Sequence, residues 1–469
     1  MGTADLRHST PSAEGIDATG ISALLDALEG DPDIRLHGMV LLRHGAVVAE
    51  GWWAPYARER VQLLYSLSKS FTSTAAGLAR AEGLLELDRP VIEYLPEYAG
   101  ELSDPRMERM AVRHIASMAS GHAEETLERA LVAGRGDLIR GFLRTPLDAE
   151  PGTVFAYNQP CTYTLAAIVQ RVTGASLVDY LRPRLLDPLG IGEVFWIEQP
   201  PGVNLGFSGL HATTDAVARL GQLYLQRGRW GGEQLLDEDW VAEATRAQLA
   251  NPGDWGPDWS QGYGLQFWMS RHGYRGDGAF GQFCVVLPEQ DAVLAITSET
   301  EFMQRVLDRV WLHLLPAFDR TPDPAADAEL AARLAAASFP TPRLDADPAD
   351  PADAAGDAGV FAVDPGGRHG IREARVQARP DGWLLTLVDA RGDFPVAVGA
   401  GRWLESISAG VPVAAAGGID GGGFRAELLF LDTPHTLRVH CRPGGTATVG
   451  WVTEPMHAEG LRGQRHPGR

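Results

Sequence analysis

Residues 65–79 read YSLSKSFTSTAAGLA, and Lys69 within them is the only lysine of a 469-residue chain that carries forty arginines. Arginine keeps its charge in proteins, whereas a lysine amine loses its proton when desolvated or set beside other cations. A sequence that uses arginine everywhere else, yet lysine three residues after Ser66, is constrained there by proton transfer. Positions i and i+3 share a helix face, so a helix opening near Tyr65 sets Ser66 beside Lys69. Leu67, Phe71, Ala75 and Leu78 form a separate apolar stripe that anchors this helix in a core. Ser66 in the first turn exposes its hydroxyl and its N–H at the positive end of the helix dipole, where an acyl oxyanion is stabilised. This is the arrangement a serine nucleophile with a lysine base requires.

Upstream, HGMVLLRHGAVVAEGWW (37–53) is two apolar, β-branched runs joined at His44-Gly45, a hairpin signal. From about residue 66 to 250 the pattern is helical, with SKSFTSTAAGLARAEGLL, TYTLAAIVQRVTG and TDAVARLGQLYLQRG carrying apolar positions at three- and four-residue spacing. Strand patterns return in GYGLQFWMS, AFGQFCVVLP and AVLAITSE, and FMQRVLDRVWLHLLPAF reads as an amphipathic helix. The parsimonious fold is α+β: one antiparallel sheet assembled from both ends of a domain spanning residues 1–318, flanked by helices. Residues 319–357, rich in Ala, Asp and Pro, read as a linker with one short helix. Residues 358–469 alternate apolar and polar positions between turns and read as a small all-β domain, a lipocalin-like barrel or a sandwich. Within it the glycine-rich AAAGGIDGGG is expected to be a loop, and no internal repeat is found.

Three motifs now stand in order: S-x-x-K in SLSK, a tyrosine motif in PGTVFAYNQ, and GDGAFGQF on a late strand. Over residues 12–318 the chain resembles the class C β-lactamase-related serine hydrolases, which include DD-peptidases and family VIII carboxylesterases. The resemblance implies a β-lactamase/penicillin-binding-protein-like fold, acylation of Ser66, a base role for Lys69 and proton relay by Tyr157. Independently, Tyr157 follows Pro-Gly and precedes an apolar helix, a loop position from which a phenol can enter a cleft. Two departures stand out. The tyrosine motif has Gln159 where the family usually has Asn or Ser, with Asn158 between, so substrate contacts from an amide fall to either residue. The third motif is Gly276-Asp277-Gly278, with no cation at its first place. Carboxylate recognition, as in β-lactams and D-Ala-D-Ala stems, is expected to weaken unless Arg275 or His272 substitutes. The strand can still supply the N–H of Ala279 to an oxyanion hole, with Asp277 and Gly278 beside the substrate.

Other signals lead elsewhere. GDGAFG satisfies G-x-G-x-x-G, but a strand follows it rather than a helix, so the dinucleotide reading is rejected. GFSGL is not a G-x-S-x-G elbow, and no HExxH occurs. His122 is expected to be structural more readily than a cleft residue. The tryptophan-rich NPGDWGPDWSQGYG either walls an acyl pocket or packs beneath a long loop. A net charge of −20 repels nucleic acid and anionic membranes. Cys161, Cys284 and Cys441 are too scattered for a disulfide framework or a zinc site and read as small buried hydrophobes. The N-terminus lacks the apolar run of an export signal, and the cytoplasm is the expected compartment.

The expected function is a serine hydrolase or acyltransferase acting on an ester or amide, with no metal or organic cofactor. Ester or small-amide hydrolysis is the first choice. A β-lactamase, DD-peptidase or D-aminopeptidase, a transacylase or peptide cyclase, and an acylatable binding protein with little turnover remain alternatives. For the C-terminal domain, a cap over the cleft, a homodimer contact and a stabilising role all stay open.

Overall fold

The computed structural model describes residues 6–251, 253, 256–344, 359–364, 369–456 and 460–469. The N-terminal hairpin forms as its sequence predicts: β1 (Arg35–Arg43) pairs antiparallel with β2 (Ala46–Trp52), Arg43 opposite Ala46. His44 and Gly45 take φ of 49° and 72°, the paired positive values that let a two-residue turn follow strand twist. The late strands are β5 (Tyr274–Gly278), β6 (Gln282–Leu287) and β7 (Ala292–Glu299), following the short β3 (Gln62–Leu63) and β4 (Leu210–Ala212). The main sheet runs Arg7–His8, β2, β1, β7, β6, β5, Trp268–Met269. Leu41 stands opposite Leu294 across the β1–β7 seam, so the two ends of the domain make one sheet.

Strand alternation decides which side chains face which layer. Met39, Leu41, Val285, Leu294 and Ile296 pack with α1 (Ala18–Glu29) and the helical run after β7. Val40, Leu42, Val286, Val293 and Ala295 pack on the opposite face, against α2 (Ser68–Ala81), α3 (Gln159–Thr173) and α4 (Thr214–Leu225). The helix expected over FMQRVLDRVWLHLLPAF begins as α5 (Met303–Arg309), widens over Val310–Leu314 and tightens over Leu315–Phe318. Pro316 has no N–H for a regular bond and accounts for the change of pitch.

Two expectations need correction. GYGLQFWMS is strand only at Trp268–Met269. Gln266 adopts φ of 68°, and its buried side chain bonds Thr162 Oγ1 at 2.6 Å and Ala116 O at 2.7 Å, so the chain arches over α2 instead of pairing. The glycine-rich stretch is not a loop but most of a β-hairpin, described below.

Within the expected linker, α6 (Pro324–Ala335) is no tether: Leu330 and Leu334 are buried in the same core as α1. Residues 345–358 lie outside the described residues. Beyond them come β8 (Gly359–Val363), β9 (Glu373–Arg379), β10 (Gly382–Asp389), β11 (Gly392–Ala400), β12 (Leu404–Ser408), β13 (Val411–Asp420), β14 (Gly423–Phe430), β15 (Thr436–Arg442) and β16 (Thr446–Trp451). The ring β11-β10-β9-β8-β16-β15-β14-β13 closes where Gly399 and Ala400 pair with Ala416 and Gly417. This is an eight-stranded barrel rather than a sandwich, with β12 paired onto β13. Gly417 belongs inside β13 because a Cβ there would stand 2.1 Å from Arg425 O, and Gly421 and Gly422 (φ 57° and 74°) make the turn to β14.

α4 crosses the sheet at Gly221, where an added Cβ would lie 2.5 Å from Val293 Cγ1 and 2.8 Å from Cys284 Sγ. Gly221→Ala is therefore expected to destabilise the protein by about 1–3 kcal/mol through overpacking. Denaturant midpoints for the two proteins measure this, and an unchanged midpoint would contradict the contact.

Candidate active site

The helix expected to open near Tyr65 instead starts at Ser68, after a single 3-10 turn over Tyr65–Leu67. Tyr65 adopts φ of 48°, a left-handed conformation that costs an aromatic residue about 1–2 kcal/mol. Its carbonyl accepts from Ser68 Oγ at 2.6 Å, and that oxygen in turn accepts from Leu210 N at 3.0 Å. The stripe of Leu67, Phe71, Ala75 and Leu78 enters the core as expected, but the other faces of α2 are buried too. This explains the serines and threonines: Ser70 donates to Gln266 O, Thr72 to Gly206 O and Ser73 to Leu265 O, satisfying loop carbonyls that water cannot reach.

Lys69 is 1% exposed. Its Nζ lies 3.1 Å from Ser66 Oγ, 2.6 Å from Gln159 Oε1 and 2.9 Å from Phe207 O. Both amide oxygens can only accept, and a neutral amine has two N–H groups and one lone pair. Two N–H bonds to Gln159 and Phe207 leave the lone pair toward the Ser66 hydroxyl. Burial depresses the Lys69 pKa to about 7, opposed by the negative charges of Glu125 and Asp277. Of the two amides at the tyrosine motif, Gln159 is the one that bonds Lys69. Asn158 does not: it is fully buried, and its Oδ1 accepts from Thr126 N and Oγ1.

Tyr157 stacks on Trp268, with ring centroids 5.1 Å apart, and Lys69 Nζ stands 4.7 Å from the centre of its ring. Burial and the Asp277 charge raise its pKa, against a hydrogen bond with Ser66, so the phenol keeps its proton near neutrality. Glu125 was not legible as a site residue. The residue is exposed, and its carboxylate accepts from Thr126 N, Leu127 N and Gln159 N, capping α3 where Gln159 begins it. Burial raises the pKa of that carboxylate.

On β5, a Cβ at Gly276 would meet Ser70 Oγ at 2.5 Å, and one at Gly278 would meet Leu64 O at 2.0 Å and Leu67 N at 3.1 Å. The strand is pressed onto the turn that carries Ser66, and Ala279 follows directly. Asp277 forms a buried ion pair with Arg275, Nε to Oδ2 at 2.9 Å. Arg275 is wholly buried, also donates to Asp258 O and Ser270 Oγ, and lies under Trp259 at 4.3 Å. His272 packs on Trp311, 5.1 Å between centroids. Neither residue extends a cation to the place vacated at Gly276. In the tryptophan-rich loop Trp259 covers the Arg275–Asp277 pair, while Trp255 lies outside the described residues. His122 is structural, fixed between Ser120 Oγ and Thr145 O at 3.0 Å each. The three cysteines are buried and unpaired. Among the described residues no helix is long and apolar enough to cross a membrane.

A family model described as Beta-lactamase matches residues 25–317. The 6-aminohexanoate-dimer hydrolase of Paenarthrobacter ureafaciens is 28% identical over 280 residues, 54% of this chain and 70% of its own length. Esterase EstB of Burkholderia gladioli is 27% identical over 218 residues, 41% of this chain and 55% of its own. Among solved structures, the octameric penicillin-binding protein homologue from Pyrococcus abyssi covers 92% of this chain and 99% of its own, with a TM-score of 0.51 at 15% identity. That last likeness is one of fold alone.

The depressed amine has a measurable consequence for stability. Between about pH 7 and 10.5 the unfolded chain carries a charged lysine that the folded chain holds neutral. The unfolded state then binds more protons, so this residue makes stability rise with pH across the window and fall as pH drops to 7. Lys69→Met is expected to gain most over the unaltered protein near pH 7, by on the order of a few kcal/mol, and to lose that gain toward pH 10.5. Unfolding free energies at four or five pH values test this; a constant difference would return Lys69 to an ordinary pKa.

Proposed function

The chain belongs to the beta-lactamase family, and from there we propose that it is a serine hydrolase of esters and small amides working through an acyl-enzyme on Ser66. The observation that carries this reading is the buried amine of Lys69, 3.1 Å from the hydroxyl and depressed to about 7. A base poised near the working pH contributes about 10²–10⁴-fold to such a step.

Neutral Lys69 takes the proton of Ser66 as Oγ attacks the carbonyl carbon, and the oxyanion formed is held by the N–H groups of Ser66 and Ala279. Gln159 Oε1 and Phe207 O keep the resulting ammonium in place, and the Glu125 and Asp277 charges stabilise it. Collapse breaks the bond to the leaving alcohol or amine, which receives a proton from the Tyr157 phenol; the phenol is replenished from Lys69. Water then attacks the acyl carbon by the same proton path in reverse and frees Ser66. Each oxyanion donor is worth about 10²–10³-fold.

Neutral acyl groups are favoured over carboxylate-bearing ones. The third motif has no side chain at Gly276, Ser70 occupies the space one would enter, and Arg275 is committed to Asp277. A carboxylate on the substrate loses a charged hydrogen bond worth about 1.5–3 kcal/mol. The second reading, acyl transfer to an amine, is favoured by Glu125, whose negative charge beside Lys69 draws a cationic amine toward the acyl-enzyme.

Intact-protein mass after exposure to p-nitrophenyl acetate tests the reading. The unaltered protein is expected to gain one acetyl group or to turn over. Ser66→Ala is expected to do neither, and Lys69→Arg and Tyr157→Phe to be slower by about 10²-fold or more. Nitrocefin is expected to turn over more slowly than the ester. Full activity in Lys69→Arg would reject lysine as the base; a burst without turnover would favour an acylatable binding protein; new masses with added amines would favour transfer.

A further inference from the structure

The loop between β14 and β15, residues 431–435, reaches out of the barrel to the turn that carries Ser66. Asp432 O accepts from Leu63 N at 2.9 Å, on the strand leading into that turn. His435 Nε2 lies 2.5 Å from Tyr65 Oη, a contact between residues 370 positions apart. Its other nitrogen, Nδ1, is 2.9 Å from Thr453 O, which can only accept; Nδ1 therefore carries the proton, and Nε2 accepts from the phenol.

Two features make this more than an interface contact. Tyr65 immediately precedes Ser66, and its backbone torsions set the plane of the peptide that bears the Ser66 N–H. Phe280 immediately follows Ala279, and it too is left-handed, at φ of 65°. The imidazole of His435 stands edge-on to Phe280, 4.9 Å between centroids, and Phe280 stands edge-on to Tyr65 at 5.1 Å. A single side chain of the barrel thus touches the strained residue beside each of the two N–H groups assigned to the oxyanion. The imidazole is itself held: Thr453 Oγ1 donates to Glu299 Oε1 at 2.9 Å, and Thr436 N and Oγ1 donate to the same carboxylate at 2.9 and 2.6 Å. Glu299, fully buried, ends β7 of the main sheet.

We infer that the barrel is part of the acyl-transfer machinery, with His435 a positioning residue that sets the Ser66 and Ala279 N–H groups through Tyr65 and Phe280. The inference rests on the acyl-enzyme reading above. The barrel's role among those left open by the sequence is then neither a cap nor a passive stabiliser. A device that aligns oxyanion donors acts on the transition state more than on bound substrate, so its loss lowers kcat with little change in KM.

The test uses the full chain and p-nitrophenyl acetate. His435→Phe and Tyr65→Phe are expected to lower kcat about tenfold or more with KM within about twofold, and to slow labelling by a fluorophosphonate, whose tetrahedral adduct needs the same donors. His435→Gln, whose amide oxygen can accept from the phenol, is expected to recover a large part of the loss. Trp403→Phe removes a different barrel contact, Trp403 Nε1 to Phe339 O at 2.8 Å, and is expected to lower Tm while leaving kcat unchanged. If His435→Phe does not fold, Tyr65→Phe and His435→Gln carry the comparison. Wild-type kcat in a folded His435→Phe or Tyr65→Phe, or an equal loss in Trp403→Phe at matched Tm, would overturn the inference. Failure of the unaltered protein to acylate Ser66 would instead remove the acyl-enzyme reading and this inference together.

Discussion

A primary amine buried without a carboxylate in ion-pair contact, among the described residues, is the constraint on which the rest of the site depends. Desolvation is what depresses the Lys69 pKa, and desolvation requires every element around it. α2 has to be covered on all sides, which is why its sequence is rich in hydroxyls that bond to loop carbonyls rather than in a simple apolar stripe. The chain over Gly206–Phe207 and the arch at Gln266 exist in that position because those hydroxyls, and Lys69 itself, hold them there. Packing and chemistry are here the same set of contacts.

In the proposed mechanism the tyrosine and the lysine divide the proton work by environment. Lys69 is buried and Tyr157 half-buried, and desolvation moves them in opposite directions: the amine toward neutrality, the phenol toward remaining protonated. Two groups whose ordinary pKa values nearly coincide are thereby separated into an acceptor and a donor. Asp277 contributes to both, raising the phenol and supporting the ammonium when it forms. Its ion pair with Arg275, which lies under Trp259, fixes that carboxylate in place.

Much of the site could be read from the chain because it is local. Ser66 and Lys69 are three residues apart on one turn, and a lone lysine among arginines is a compositional signal that needs no structure. The hairpin at His44-Gly45 was equally legible, since its turn chemistry lies in two adjacent residues. What could not be read depends on contacts across long separations. Glu125 reaches Gln159 over thirty-four positions and is one carboxylate among sixty-one acidic residues. The short strand at Trp268–Met269 was overestimated because apolar alternation does not reveal that Gln266 has buried partners on two helices. Glycine density in AAAGGIDGGG suggested a loop, whereas the glycines are there for a close crossing of strands and a two-residue turn. His435 carries no motif at all.

Under the proposed acyl-enzyme chemistry, the solitary lysine also shapes how the protein coexists with its reagents. An enzyme that handles activated acyl groups exposes itself to stray acylation, and surface lysine amines are the usual casualties. This chain presents arginine at every other basic position, and guanidinium is far too weak a nucleophile at neutral pH to be modified in that way. The one side-chain amine it has is sealed behind Ser66 with two carbonyls on its N–H groups. A surface free of side-chain amines can meet its reagents repeatedly without accumulating damage, and solubility is left to the excess of carboxylates and the permanent charge of arginine.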